Sequence, residues 1–544
     1  MNDKNQVDDR FCLAGNRGAV AAETPAIIPQ PTELILKDGA FELAATTRLQ
    51  FGTPAAAETA RQLAAMLAPA TGFHLIPTAH GANTAAIQPA ILLTTAGADA
   101  TLGEEGYDLS VTPATVQLRA TTSAGLFYGC QTLLQLMPSA LFAETVQAGT
   151  KWRLPAVTIR DAPRYRWRGL MLDCSRHFMP VPFVKRFIEL LAMHKMNRFH
   201  WHLTDDQGWR IEIKKYPELT RRGAIRTESP RPGNRDRGDG EPYGPFFYTQ
   251  EQIREIVDYA TERHVVVVPE IEMPGHALAA LAAYPELSCT GGSFRPRTKW
   301  GVEPDVYCAG KDQVLQFNRD VLTEVLAMFP SPFIHIGGDE CPKERWKECP
   351  HCQARMTAHG LKDTHELQSW FIKQIDQFLA ANGRRLIGWD EILEGGLAPG
   401  AAVMSWRGVH GGVAAAAAGH DVVMSPSSHC YFDYGQSGAV GEPECFCGHL
   451  PLATVYSYEP TPVELTVTQR PYVIGVQGNI WTEYLWKPAH VEYAAYPRAC
   501  ALAEVAWTAA ARREFGDFWR RMQLHGQRLD ARRVQWRRLS DDQR

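Results

Sequence analysis

Between residues 169 and 476, short apolar runs alternate with longer segments of helical spacing, and this alternation constrains the fold more than any other feature of the chain. The runs are Gly169–Leu172, Phe199–Leu203, Val265–Ile271, Phe333–Ile336, Arg385–Gly388, Ala402–Ser405, Asp421–Met424 and Tyr472–Val476. Helical spacing covers Pro182–Lys195, Glu251–Arg263 and Asp312–Met328, the last leading straight into a strand. Strands this short, apolar and widely separated are those of a parallel sheet with helical crossovers. Eight of them predict an α/β fold with a (β/α)8 barrel whose active site lies at the strand C-termini. A doubly wound open sheet has a similar pattern and is the second choice.

Polar and aromatic residues follow every run. Arg176 and His177 follow the first, Asp205, Asp206 and Trp209 the second, and Glu272 and His276 the third. Asp339 and Glu340 follow the fourth, Trp389, Asp390 and Glu391 the fifth, and Trp406 and Arg407 the sixth. Tyr431 and Asp433 follow the seventh, and Trp481 and Glu483 the eighth. Core packing does not require this recurrence; one polar pocket with aromatic walls does. The fourth run, FIHIGGDE, is the most pointed. Gly337 and Gly338 end the extended segment, and two adjacent carboxylates follow. Two acids in one small volume cannot both ionise freely, so one pKa should rise toward the range of a general acid.

A chain of 544 residues is too long for one ordinary domain. The reading is a flexible tail over 1–24, a small α+β supporting domain over 25–160, the catalytic barrel over 161–510 and a C-terminal helix over 511–544. In the small domain, strands are expected at Thr32–Leu36, Phe41–Leu49, Ala90–Thr94, Tyr107–Val111 and Val116–Ala120. Helices are expected at Ala55–Leu67 and Ser123–Leu136, the second capped by Ser123. The Arg-rich segment Ala511–Arg538 reads as a solvated amphipathic helix packed on the barrel.

A net charge of −4 offers no argument for nucleic acid or an anionic membrane, and no apolar run is long enough to span a bilayer. The polar N-terminus carries no signal-peptide core, so a cytoplasmic protein is expected, or a periplasmic or secreted one if an export signal is missing from this sequence. The 14 tryptophans suit a sugar cleft, because pyranose rings present apolar C–H faces to aromatic walls. Of 12 cysteines, Cys341 and the CPHC unit of Cys349 and Cys352, with His351 or His359, could hold a structural zinc. A second well-spaced pair is missing, so no metal and no cofactor is expected.

Taken together, GLMLDCSRHF (169–178), FHWHLTDDQGWR (199–210), PEIEMPGH (269–276), IHIGGDE, GWDEI (388–392), SWRG (405–408), CYFDY (430–434) and GVQGNIWTEY (475–484) resemble glycoside hydrolase family 20, the β-N-acetylhexosaminidases. GLFYGCQTLLQL (125–136) is similar to the end of the small domain that precedes the barrel in that family. Eight pieces in the right order are specific where each alone is weak.

The resemblance implies retaining hydrolysis of terminal β-linked N-acetylglucosamine or N-acetylgalactosamine, with the substrate's own acetamido oxygen as nucleophile. It implies that Glu340 is the general acid/base, that Asp339 holds the acetamido N–H and that Tyr431 binds the acetamido oxygen. Trp389, Trp406 and Trp481 would clamp the methyl group, Arg176 would bind O3 and O4, and Asp433 and Glu483 would accept from the O4 and O6 hydroxyls. Asp205 and His276 would form a relay tuning Glu340. Glu272 departs from the Asp that many relatives carry.

The same residues admit three rival readings. His200, His202, His276, His335 and Asp339 could compose a metal-dependent amidohydrolase site, although period-2 geometry puts His200 and His202 inside a strand, before its C-terminal edge. A non-catalytic sugar-binding barrel predicts a lost acid, and none is lost. A covalent retaining glycosidase would use Asp339 or another carboxylate as nucleophile. Trp201, Trp346 and Trp370 read as core residues.

Overall fold

A computed structural model describes residues 25–81 and 89–544; the expected tail over 1–24 lies outside the described residues. The eight barrel strands are Trp167–Asp173, Arg198–His202, Val266–Glu270, Phe333–His335, Arg385–Trp389, Ala402–Ser405, Val422–Met424 and Val473–Ile480. Each pairs in parallel with its neighbours in chain order, and the eighth closes on the first, Gly475 opposite Trp167 through Ile480 opposite Leu172. The open-sheet alternative is therefore excluded.

Alternate residues of each strand point into the barrel. One interior layer is apolar: Trp167, Val268, Phe333, Ile387, Ala402, Met404, Val423 and Ile474 pack together with Trp389. Two residues beyond Val268 and Phe333 the filling turns polar at Glu270 and His335, and these are fully buried with His202 and Gln477 of two other strands. The barrel is thus solid at its base and carries ionisable groups toward its C-terminal mouth.

The N-terminal sheet has seven strands, in the order Glu33–Glu42, Arg153–Asp161, Tyr107–Val111, Thr115–Arg119, Ala90–Thr94, Arg48–Phe51 and Thr78–Ala79. The expected strands Thr32–Leu36 and Phe41–Leu49 are divided differently: the first strand runs unbroken over Glu33–Glu42, and the break falls at 43–47, before Arg48–Phe51. Between the two expected strands Gly39 takes φ +96°, and the chain passes through an irregularity without leaving its partner Arg153–Asp161. The helix Ser123–Gln135 is capped by Thr122, whose hydroxyl accepts from the Gly125 N–H; Ser123 is already its first residue. A buried cluster joins sheet to barrel: Asp161 accepts from Tyr107 OH (2.6 Å) and Trp507 Nε1 (2.9 Å) and pairs with Lys195 at 3.0 Å.

The final helix, Phe515–Ala531, does not present its arginines only to solvent. Arg521 is buried in a double contact with Glu504 at 2.6 Å and donates to the Ile27 carbonyl, and Arg528 donates to the carbonyls of Ala26 and Gln135. Those carbonyls belong to the N-terminal region, so the helix ties it to the barrel. Among the described residues no helix is long and apolar enough to cross a membrane.

Candidate active site

The acidic pair is positioned by the turn that ends the fourth strand. Gly337 and Gly338 take φ +64° and +89°, in the left-handed region that favours glycine. A Cβ on Gly337 would sit 1.7 Å from Glu272 Oε2, so the third-strand loop fills the space a side chain would need. The Trp389 N–H donates to Gly337 O at 2.9 Å, and Gln368 Nε2 donates to Gly338 O at 2.7 Å. Glu340 itself has φ +43°, and His276, which faces it, has φ +47°. Two non-glycine residues held in this costly region, each on a neighbouring loop, mark a geometry imposed by the fold.

Around them lies a cavity of about 120 Å3 at the barrel mouth. It is lined by the eleven residues to which the family resemblance gives a role: Arg176, Asp205, His276, Asp339, Glu340, Trp389, Trp406, Tyr431, Asp433, Trp481 and Glu483; of the other residues that follow the strands, His177, Asp206, Trp209, Glu272, Asp390, Glu391 and Arg407 do not line it. Tyr434 and Phe446 complete the lining. Tyr434 ends the CYFDY motif, but Phe446 sits in a long loop where no periodicity signals it.

One wall is a chain of acids and one imidazole. His276 Nδ1 lies 3.3 Å from Asp205 Oδ1 and from Asp206 Oδ2, while its Nε2 is 3.5 Å from Glu340 Oε2 and 3.7 Å from Asp339 Oδ2. Asp206, given no role by the sequence, therefore shares the imidazole with Asp205. It also accepts from the Leu278 N–H at 3.0 Å, which fixes the His276 loop. The other Asp205 oxygen meets Arg176 Nη2 at 2.8 Å and His202 Nε2 at 3.0 Å. Arg176 is further held by Gln207 Oε1 (2.9 Å) and Asp173, and its guanidinium stacks over Trp481 at 5.0 Å.

The opposite wall is aromatic. Trp389 and Trp481 have ring centroids 5.8 Å apart, Trp481 and Tyr431 6.4 Å, and Tyr431 stacks on Trp406 at 6.1 Å. Each indole N–H of the first and third tryptophans is used behind the wall: Trp389 Nε1 donates to Glu270 (2.8 Å) and Trp406 Nε1 to Glu391 (2.9 Å). The ring faces are left for apolar contact.

Burial raises the Asp339 carboxyl to about 6, with Glu270 and Glu340 adding to the rise and His276 opposing it. Glu340 goes the other way: its hydrogen bond with His276 holds it below the ordinary carboxyl value against the effect of burial. The rise expected for one member of the pair therefore falls on Asp339. Burial works against a charged His276, but Asp205 and the bonds to Asp206 and Glu340 lift it well above the usual histidine range. At the far end burial raises Asp433 well above its usual value, with Glu483 adding to it, and burial raises Glu483 also. Among the described residues Asp339 Oδ1, Asp433 Oδ1 and Glu483 Oε2 are buried without a hydrogen-bond partner. Three acceptors left open in one polar cavity are matched by a ligand rich in N–H and O–H donors.

Three of the four histidines of the amidohydrolase alternative, His200, His202 and His335, are packed beneath this cavity, and only His276 lines it. Glu270 pairs with His202 Nδ1 and lies 2.8 Å from His335 Nδ1 and 3.0 Å from His200 Nε2; His335 Nδ1 accepts from the Gly337 N–H at 3.1 Å, and Gln477 Nε2 donates to His200 Nδ1 at 2.8 Å. Burial lowers His200 to about 4; in His202 it is outweighed by the Glu270 charge and the bonds to Asp205 and Glu270, which bring it to about 10. All three rings are fully buried and do not line the cavity. Trp201 and Trp346 are likewise core residues, and Trp370 is half-buried against Arg355.

Residues 165–510 match the model of the glycosyl hydrolase family 20 catalytic domain, and residues 24–162 match that of family 20 domain 2. The chain belongs to glycoside hydrolase family 20. Among its family 20 relatives, a β-hexosaminidase of Porphyromonas gingivalis is 52% identical over 436 residues, 80% of this chain and 55% of that protein. The chain thus spans little more than half the length of that relative. The structure of the family 20 β-N-acetylhexosaminidase from Streptomyces coelicolor superposes with a TM-score of 0.82 at 32% identity, covering 95% of this chain and 98% of that one. A mutant Streptomyces plicatus β-hexosaminidase in complex with product GlcNAc superposes equally well, TM-score 0.82 at 33% identity, over 95% and 97% of the two chains.

Proposed function

We propose that this family 20 protein is a retaining exo-β-N-acetylhexosaminidase acting on terminal, non-reducing β-linked GlcNAc or GalNAc. The observation that carries the reading is the unpartnered Asp339 oxygen in a cavity that is indole-walled on one side and carboxylate-lined on the other. A cavity of about 120 Å3 is below the range of roughly 300–1,000 Å3 usual for larger ligands, which points to a single sugar ring.

With the 2-acetamido group against Trp389, Trp406 and Trp481, Asp339 accepts its N–H and Tyr431 OH donates to its oxygen. The amide oxygen then attacks the anomeric carbon as the bond to the leaving group breaks, forming an oxazolinium ion. An intramolecular nucleophile has a high effective concentration, provided the walls fold it under the ring. Asp339, ionised, stabilises the positive charge that develops on the amide nitrogen. Glu340 delivers a proton to the leaving oxygen and afterwards takes one from the attacking water. His276, charged and 3.5 Å away, is the neighbouring proton reservoir. A bound sugar strips water from the half-exposed Glu340 and pushes its pKa up, the direction an acid requires. Arg176 is the donor for O3 and O4, and Asp433 and Glu483 are acceptors for the O4 and O6 hydroxyls.

A panel of aryl β-glycosides with and without the 2-acetamido group tests this. Cleavage confined to the acetamido sugars is expected; equal turnover of the plain glucoside overturns the reading.

A further inference from the structure

Four cysteines from three loops converge beside the active-site mouth. Cys289 follows the turn Pro285–Leu287, Cys308 precedes the helix Asp312–Met328, and Cys349 and Cys352 cap and open the helix Pro350–His359. Their sulfurs all lie within 4.8 Å of one another. Cys308 Sγ is 3.6 Å from both Cys349 Sγ and Cys352 Sγ, and Cys289 Sγ is 3.9 Å from Cys352 Sγ. None is in a disulfide, and three of the four are buried. We propose that Cys289, Cys308, Cys349 and Cys352 form a tetrathiolate zinc site.

The geometry is that of the ion. Zn–S bonds of about 2.3 Å in a tetrahedron place neighbouring sulfurs about 3.8 Å apart, against a bond of about 2.05 Å in a disulfide. The pair missing from the sequence pattern is Cys289 and Cys308, which tertiary contacts bring to the CPHC unit. Cys341 is not a member; its Sγ faces the Pro342 carbonyl. The backbone is shaped for the approach. A Cβ on Gly310 would lie 2.2–2.4 Å from His351 C and O and Cys352 N, so only glycine lets the Cys308 loop press onto the CPHC turn. The charge environment suits a dianionic centre. Two of the sulfurs sit at a helix N-terminus, Lys311 Nζ bridges to the carbonyls of Glu286 (2.8 Å) and Ser288 (2.7 Å), and Arg355 donates to Gly310 O at 3.1 Å. On binding, four S–H groups release four protons as four Zn–S bonds form, with no change of oxidation state.

The site joins the loops that carry the two halves of the proton relay. Tyr307 N donates to Pro274 O (3.0 Å), two residues before His276, and Trp346 Nε1 donates to Tyr307 O (2.9 Å). Zinc here staples the His276 loop to the segment that follows Glu340.

The test is metal analysis of the full-length protein, purified under reducing conditions without added metal. About one zinc per chain is expected, released by a mercurial thiol reagent in step with four thiols. Cys308→Ser and Cys352→Ser should lose the zinc and melt at lower temperature, whereas Cys341→Ser keeps it. Should the buried variants not fold, Cys289→Ser at the half-exposed position and cobalt substitution in the wild type give the same answer, with a thiolate-to-cobalt charge-transfer band expected. Metal-free protein with four reactive thiols, two disulfides by mass, bound iron in place of zinc, or zinc retained in Cys308→Ser would overturn the proposal.

Discussion

Asp205 and His276 meet at 3.3 Å, Oδ1 to Nδ1, while the second oxygen of the same carboxylate lies 2.8 Å from Arg176. One acid thus links Arg176, the proposed ligand of the sugar hydroxyls, to His276, which faces the proposed proton donor Glu340. Asp205→Asn should weaken both. Loss of a charge-assisted hydrogen bond of about 1.5–3 kcal/mol predicts a roughly ten- to hundredfold fall in kcat/KM. With its main anionic partner gone, His276 should also lose its proton at lower pH, moving the basic limb of the pH–rate profile downward. An Asn variant with an unshifted basic limb would show that the carboxylate only packs.

In the proposed mechanism Asp339 sets the acidic limb. The acetamido N–H needs an ionised acceptor, and this carboxyl is raised to about 6. In the free enzyme kcat/KM should therefore fall as pH drops through about 6 and level off above it. Asp339→Asn should remove that limb and slow turnover by about 10²–10³-fold, the scale for losing one preorganised electrostatic partner. A pH–rate profile of the two proteins decides it.

Glu340→Gln should separate substrates by leaving group. Without a proton to deliver, glycosides with poor leaving groups should lose about 10²–10⁴-fold, while those with acidic phenols lose much less. A uniform loss across an aryl glycoside series would contradict the acid role.

Glu272 bears on stability. It is buried, neither of its oxygens has a partner among the described residues, and burial, with Asp339 and Glu270, pushes it well above its ordinary 4.5. A carboxyl raised in the fold binds more protons folded than unfolded above the unfolded value, so stability falls with rising pH there. The slope is about 1.4 kcal/mol per pH unit until the folded pKa is passed. Glu272→Gln, neutral at all pH, should lose this slope and gain melting temperature over wild type progressively as pH rises above the ordinary carboxyl value. Parallel melting curves across that range would rule the account out.

The barrel and its acidic pair were legible because their signals are local. Apolar runs of strand length, glycines at the end of the fourth run and the contiguous Asp339–Glu340 are properties of neighbouring residues. The residues following each strand could be assigned to one pocket because a closed parallel barrel carries all its strand C-termini to the same end. Less local features are not legible in this way. The gap expected between Thr32–Leu36 and Phe41–Leu49 is closed by pairing with Arg153–Asp161, which holds Glu33–Glu42 in one strand. The arginines of the last helix have the spacing of a solvated face, but the carbonyls of Ala26, Ile27 and Gln135 draw two of them inward.

By itself the chain determined that polar and aromatic groups stand at the barrel mouth and that two carboxylates share it, since both follow from order along the strand ends. Only the tertiary structure decided which carboxyl is raised. His276 lies on a different loop from Glu340, and its hydrogen bond reverses a shift that adjacency alone leaves open. The same holds for the four cysteines: Cys289 and Cys308 carry no spacing signal, and only the fold brings their sulfurs to the CPHC turn. Electrostatic and coordinate interactions depend on distance in space, and distance in space is what a parallel barrel rearranges most.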